Sequence, residues 1–346
     1  MKSTSGASRA NHTVPYGTDP WGTSFQAFHA RLPSASPYGT DPWGASFQAL
    51  RARLPSGSPY GTFISYSFIF ALLSLLTSPL RATERTSDLA TTPPDIRVQA
   101  SGFGKASASD ITLVLHSAAS QLFRYCPHTQ LDGIDVCYRP DHPQIDVHRT
   151  AGGRILIGLS ARDTHWAQYG FQFAHEFCHA LANFSDHSSP ALANVPNPNL
   201  WLEESLCETA SLFVLRAMNR SWATNPPYPA WQAYAPWLSD YVERRLAMPE
   251  NRLRTGMSFS AWFHEHQTAL QKDAGQRTWN TIVATQLLPI FEADPAGWEA
   301  VTFLNRRPRG PTESLSHHFA GWQASCPNRL HAFVANLAAV FGVALP

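Results

Sequence analysis

The chain has 346 residues, 44% of them apolar and only 15% charged, with a formal net charge of +1. That length and apolar content supply a sizeable core and exclude global disorder. The near-neutral balance gives no electrostatic footprint for nucleic acid, and no basic amphipathic run points to a membrane surface.

Residues 15–36, "PYGTDPWGTSFQAFHARLPSAS", recur as 37–58 with 18 of 22 positions identical. Two copies so rich in Pro, Gly and Ser cannot bury a face against each other, so residues 1–62 read as a disordered, repeat-containing leader. An apolar stretch of fourteen follows at 63–76, and a small-residue end at Ala82. This is the layout of a secretory signal peptide. It is short for a span, which needs about 20 residues. Yet no charge occurs between Arg53 and Arg81, so membrane anchoring through 63–80 is the other reading of 63–82. The expected location is exported, periplasmic or secreted. Export permits a disulfide, and Cys126 with Cys137, flanking "PHTQLDGIDV", is the expected pair. Cys178, Cys207 and Cys326 have no assigned partner.

Residues 83–346 form the expected folded domain, α+β in its first part (83–184) and helical in its second (185–346). "PPDIRVQA" predicts a short strand, and Asp110 predicts a cap for the helix "ITLVLHSAASQLFRYC". "IDVCYR", "QIDVHRT" and "RILIGLSA" predict strands of a small mixed sheet. "WAQYGFQFAHEFCHALANF" predicts a long helix, "SDHSSPALANVPNPN" a loop, and "LWLEESLCETASLFVLRAM" a second helix capped by Asn199. Further helices are predicted at "AWQAYAPWLSDYVERRLAM", "FSAWFHEHQTALQKDA", "RTWNTIVATQLLPIFEA", "AGWEAVTFLN" and "NRLHAFVANLAAVFGV".

The chemistry is concentrated in the first long helix. His175 and His179 stand four apart, hence one above the other on a single face. Two imidazoles so spaced can reach one zinc ion. Glu176 is rotated about 100° from His175 and flanks that stripe, where it can reach a zinc-bound water without ligating the metal. Shuffling this composition would produce His-Glu-x-x-His in only about one chain in fifty, so the motif is informative. "FHEHQ" at 263–267 fails on geometry, because His264 and His266 are two apart and splay on a helix. Adjacent His317 and His318 also diverge. The second long helix offers the third ligand. Glu204 and Glu208 share a face, so one can ligate zinc while the other accepts the free ring N–H of a ligating imidazole. Glu203 points away from that pair and reads as an acid favoured by the helix dipole in the first turn. Cys178 reads as a small packing residue beside the stripe.

"HEFCH" together with "WLEESLCE" resembles the gluzincin superfamily of zinc metallopeptidases, which includes thermolysin and the aminopeptidases. The resemblance covers about residues 166–215 and implies an α+β fold whose edge strand, here "RILIGLSA", packs on the active-site helix. It implies zinc on His175, His179 and Glu204, Glu176 as general base, and Glu208 as the acceptor that orients a ligating imidazole. It also implies a Tyr or His from the helical part that stabilises the oxyanion, for which Tyr234, Tyr241 and His264 are candidates. The expected function is zinc-dependent hydrolysis of peptide bonds in a peptide or protein substrate. The alternatives are a non-catalytic binding or scaffold protein with a retained zinc site, and a zinc hydrolase of a non-peptide substrate.

Overall fold

The computed structural model describes residues 92–183, 197–307 and 310–345. The leader, the segment 63–82 and most of the loop after the first long helix lie outside the described residues. What is described is α+β: a four-stranded mixed sheet followed by a helical body. No helix among the described residues is long and apolar enough to cross a membrane.

The sheet holds β1 (Ile96–Val98), β2 (Ile134–Tyr138), β3 (Gln144–Ile145) and β4 (Ile155–Leu159), in the order β1-β2-β4-β3. β1, β2 and β4 are parallel, and β3 runs antiparallel to β4. The expectation that "RILIGLSA" forms the edge is therefore corrected. β4 is interior, and its nearly continuous apolar run suits a strand covered on both faces. β3 is the edge on that side of the sheet, and both β3 and β4 pack on the first long helix.

Helix α1 (Ala108–Phe123) starts earlier than expected. Ser107, not Asp110, is the cap: its backbone is extended and its Oγ accepts the Asp110 N–H at 3.1 Å. The expected Cys126–Cys137 bridge is also corrected, since all five cysteines are free. Cys126 is buried just past α1, its thiol directed at the carbonyls of Leu122 and Trp298. Cys137 alternates on β2 with the buried Val136 and so faces the other side of the sheet.

The helical body comprises α2 (Trp166–Leu181), α3 (Leu200–Trp222), α4 (Ala235–Ala247), α5 (Phe259–Lys272), α6 (Arg277–Ala293), α7 (Trp298–Val301), α8 (Leu315–Ser325) and α9 (His331–Val340). α2 and most of α3 are buried on nearly every side, as expected of helices inside a core. They lie antiparallel. A Cβ on Gly170 would meet Leu215 Cδ2 at 3.0 Å, Ser211 Oγ bonds the Phe171 carbonyl at 2.9 Å, and His179 meets Glu203. Each turn forward on α2 thus meets a turn further back on α3. Asn199 precedes α3, but its side chain makes no cap; Nδ2 instead donates to the Glu313 carbonyl at 2.9 Å.

Candidate metal centre

The antiparallel crossing brings the α2 histidines against the acids of α3. The rings of His175 and His179 have centroids 5.1 Å apart. His175 Nε2 lies 3.2 Å from Glu204 Oε2, and His179 Nε2 lies 3.5 Å from Glu204 Oε1. On its other edge, His179 Nδ1 meets Glu203 Oε1 at 2.8 Å. Asn305 Nδ2 donates to Glu203 Oε2 and to the Ala182 carbonyl, both at 2.9 Å, which fixes that carboxylate against the end of α2. With Nδ1 engaged by Glu203, Nε2 is the atom left facing Glu204 and any metal. His175, His179 and Cys207 form a buried group whose ligand atoms all lie within 4.8 Å of one another, and such a group can bind a metal ion.

The electrostatics are those of buried acids and imidazoles that shift one another. Glu176, Glu203, Glu204 and Glu208 are all buried. Burial pushes the Glu176 carboxyl up, against the opposing pull of His175 and His179. Neither Glu176 oxygen has a hydrogen-bond partner among the described residues, although the side chain is fully buried. Burial also acts to raise Glu204, but the charge of His179 and the hydrogen bonds from both imidazoles outweigh it and hold the carboxyl at about 2. His179 is lifted well above its ordinary value. Burial acts downward there and is overcome by Glu204 and Glu203. Arg245 pairs with Glu208, and the charge of Arg277 reaches both Glu176 and Glu208. Buried charge is costly unless matched, and here Glu203 and Glu204 both face His179 while Glu208 faces Arg245.

Of the residues expected at the site, His175, Glu176, His179 and Glu204 come together. Glu208 does not reach an imidazole. Its Oε1 accepts from Arg245 Nε at 2.5 Å and from Thr281 Oγ1 at 2.9 Å, and burial is outweighed by Arg245 in holding its carboxyl down. The orienting acceptor is Glu203, the acid read as a dipole partner. Because α3 runs antiparallel to α2, its first turn meets the last turn of α2. Replacing Glu203 by Gln is expected to weaken metal binding about tenfold or more, measured by competition with a chromophoric chelator.

Tyr234 is not brought to the centre. Its hydroxyl accepts the Ala167 N–H at 3.1 Å, about 12 Å along α2 from His175. Tyr241 comes nearer, its ring 5.3 Å from that of Phe171, one turn before His175. His264 is exposed on α5, while His266 stacks on Trp262. Cys207 was not anticipated as a ligand, although it sits three residues after Glu204, within reach of the same face. Burial, with Cys178 beside it, raises its thiol well above the ordinary value.

Away from the centre, His318 is buried on α8 with Nδ1 3.0 Å from Glu313 Oε2, and Arg307 pairs with the other oxygen. Burial acts to raise Glu313, but these two partners hold it at about 2, below its ordinary 4.5. A carboxyl depressed in the folded state stabilises above its unfolded value and loses that contribution as pH falls through the folded one. Glu313→Gln is therefore expected to be less stable than wild type at pH 6, with the gap closing between about pH 4.5 and 2 in urea melts.

Compared with models of protein families, with curated proteins and with solved structures, the chain matches none of them.

Proposed function

We propose that the protein is a zinc-dependent hydrolase of peptide bonds, with the ion held by His175, His179 and Glu204. The observation that carries this reading is Glu176, a fully buried carboxyl with both oxygens unpartnered, next to an imidazole pair. A buried orphan of that kind costs stability, and a functional role accounts for its being retained despite that cost. The donor set suits the ion. Two imidazoles and a carboxylate are ligand types that zinc takes, and each ring faces its own oxygen of Glu204, at 3.2 and 3.5 Å.

Bound there, zinc polarises a carbonyl oxygen and makes water acidic enough to ionise near neutral pH. The chain supplies the rest. Glu176 takes a proton from the attacking water on its free oxygens and returns it to the leaving amine; its raised pKa suits both halves of that task. Glu203 and Asn305 hold the His179 ring in one tautomer and one orientation. Burial of all four acids keeps the surroundings poorly screened, which strengthens each of these interactions.

A second reading has its own observation. The thiol of Cys207 belongs to the buried metal group, and a site completed by His, His, Glu and Cys has no vertex left for a substrate. Such a centre would be structural and the protein a scaffold.

Zinc content and peptide hydrolysis test the first reading together. Purified protein is expected to carry equimolar zinc, to lose hydrolysis of a peptide mixture on treatment with 1,10-phenanthroline, and to regain it when zinc is restored. Undiminished hydrolysis by metal-free protein would remove the proposal.

A further inference from the structure

We infer that Asn305 is a positioning residue of the metal centre and that the Arg307–Glu313 ion pair, outside the centre, holds it in place. This rests on the metal-binding part of the reading above and adds the residues that set the ring of His179. The amide nitrogen of Asn305 offers two donors and no acceptor. One donor goes to Glu203 Oε2 in the first turn of α3, the other to the Ala182 carbonyl at the end of α2, both at 2.9 Å. A single side chain thus bridges the two helices that carry the metal ligands. The second oxygen of Glu203 meets His179 Nδ1 at 2.8 Å. A carboxylate is planar and rigid, so fixing Oε2 fixes the direction from which Oε1 meets the ring. Partners of a ligating imidazole set its orientation and its affinity for metal.

Asn305 stands in a turn, outside any helix or strand, so contacts on either side must hold it. Before it, the Thr302 carbonyl accepts from Asn183 Nδ2 at 2.8 Å. Asn183 has a φ of 60° and turns the chain out of α2. After it, Arg307 pairs with Glu313 at the entry to α8, and the Glu313 carbonyl accepts from Asn199 Nδ2 at 2.9 Å. Asn199 and Glu203 are four apart at the start of α3, about one 5.4 Å turn. Asn305 and Glu313 are therefore bonded about one turn apart along α3, and the ion pair ties the chain between them.

Exposed ion pairs contribute little because solvent screens them. This acid is out of solvent: its side chain is 3% exposed, and its other oxygen lies 3.0 Å from His318 Nδ1. A Cβ on Gly321 would run into the Arg307 guanidinium, which lies against α8. The influence of the pair on the metal passes through Asn305 and Glu203 to His179.

The test measures zinc affinity, by competition with a chromophoric chelator, in wild type and in Glu203→Ala. In wild type, Asn305→Leu, close in volume but without donors, is expected to weaken binding about tenfold or more. Arg307→Met is expected to weaken it about threefold or more, and Arg307→Lys less. In Glu203→Ala neither Asn305→Leu nor Arg307→Met is expected to change affinity by more than about twofold, and Arg307→Met adds nothing to Asn305→Leu. A second readout needs no metal. The His179 Nδ1 proton, buried and held by Glu203, is expected as a downfield proton resonance in metal-free wild type, absent in Glu203→Ala and lost or broadened in Asn305→Leu and Arg307→Met. Equal losses of affinity in both backgrounds would mean that the substitutions loosen the fold generally, and would overturn the positioning role. An affinity and a resonance unchanged by Asn305→Leu would overturn it too. Failure of wild type to take up zinc would remove the metal reading, and the resonance would then decide alone: its loss in Asn305→Leu supports the positioning, and its persistence overturns it.

Discussion

Glu176→Gln is expected to keep its zinc and to lose about 10²–10⁴-fold in turnover, the range that positioned proton transfer contributes. The change is nearly isosteric, and the side chain is fully buried, so packing is conserved. What disappears is the ability to carry a proton. Neither oxygen of Glu176 has a hydrogen-bond partner among the described residues, so no hydrogen-bond network collapses with it. Its carboxyl is raised by burial, which means the ionised form is held against a desolvation cost. The neutral amide carries no such cost, and the variant is expected to melt at the wild-type temperature or above it. Lower activity with equal or greater stability is the signature of a residue kept for function. Wild-type turnover by the zinc-loaded variant would take the general base away from Glu176, whatever the metal does.

The sequence made some of this arrangement legible and hid the rest, for reasons that residue positions make plain. α2 and α3 could be read because long apolar segments bounded by breakers leave little choice but buried helices. The imidazole stripe could be read because i and i+4 are neighbours on any helix. The choice between Glu203 and Glu208 could not. Both acids lie on α3, and which one meets α2 depends on the crossing of the two helices, a tertiary quantity with no local signature. The antiparallel crossing sends Glu203 to His179 and gives Glu208 to Arg245 and Thr281 on α4 and α6. The edge of the sheet was misassigned because strand order is non-local: two residues, Gln144 and Ile145, suffice to cover β4. Spacing alone suggested the Cys126–Cys137 bridge, whereas the alternation of β2 turns Cys137 outward. α8 went unread although its signals were present. Ser314 accepts the His317 N–H at 3.2 Å as a cap, and Leu315, Phe319 and Trp322 recur at helical spacing.

Two substitutions on one face of α3 decide which atoms hold the metal. Glu204→Gln is expected to weaken zinc binding by more than about a hundredfold, beyond the 10–100-fold that loss of an outer partner costs. Glu204 has oxygens at 3.2 and 3.5 Å from the two imidazoles, so a neutral amide there leaves both rings facing a weaker donor and removes one of the charges that a cation balances. Cys207→Ser is expected to change zinc affinity less than about threefold if the thiol only packs against Cys178. The two sets also differ in colour once cobalt replaces zinc, because a thiolate ligand adds an intense sulfur-to-metal absorption that oxygen and nitrogen donors lack. Absence of that band in wild type, with loss of metal in Glu204→Gln, fits a centre with a vertex free for substrate. A strong band that vanishes in Cys207→Ser together with the metal would mean a site closed by sulfur. The carboxyl of Glu176 would then have no water to deprotonate, and the hydrolase reading would give way to the scaffold. The outcome turns on a single helical turn: residues 204 and 207 are close enough that a small rotation of α3 about its axis exchanges one donor for the other.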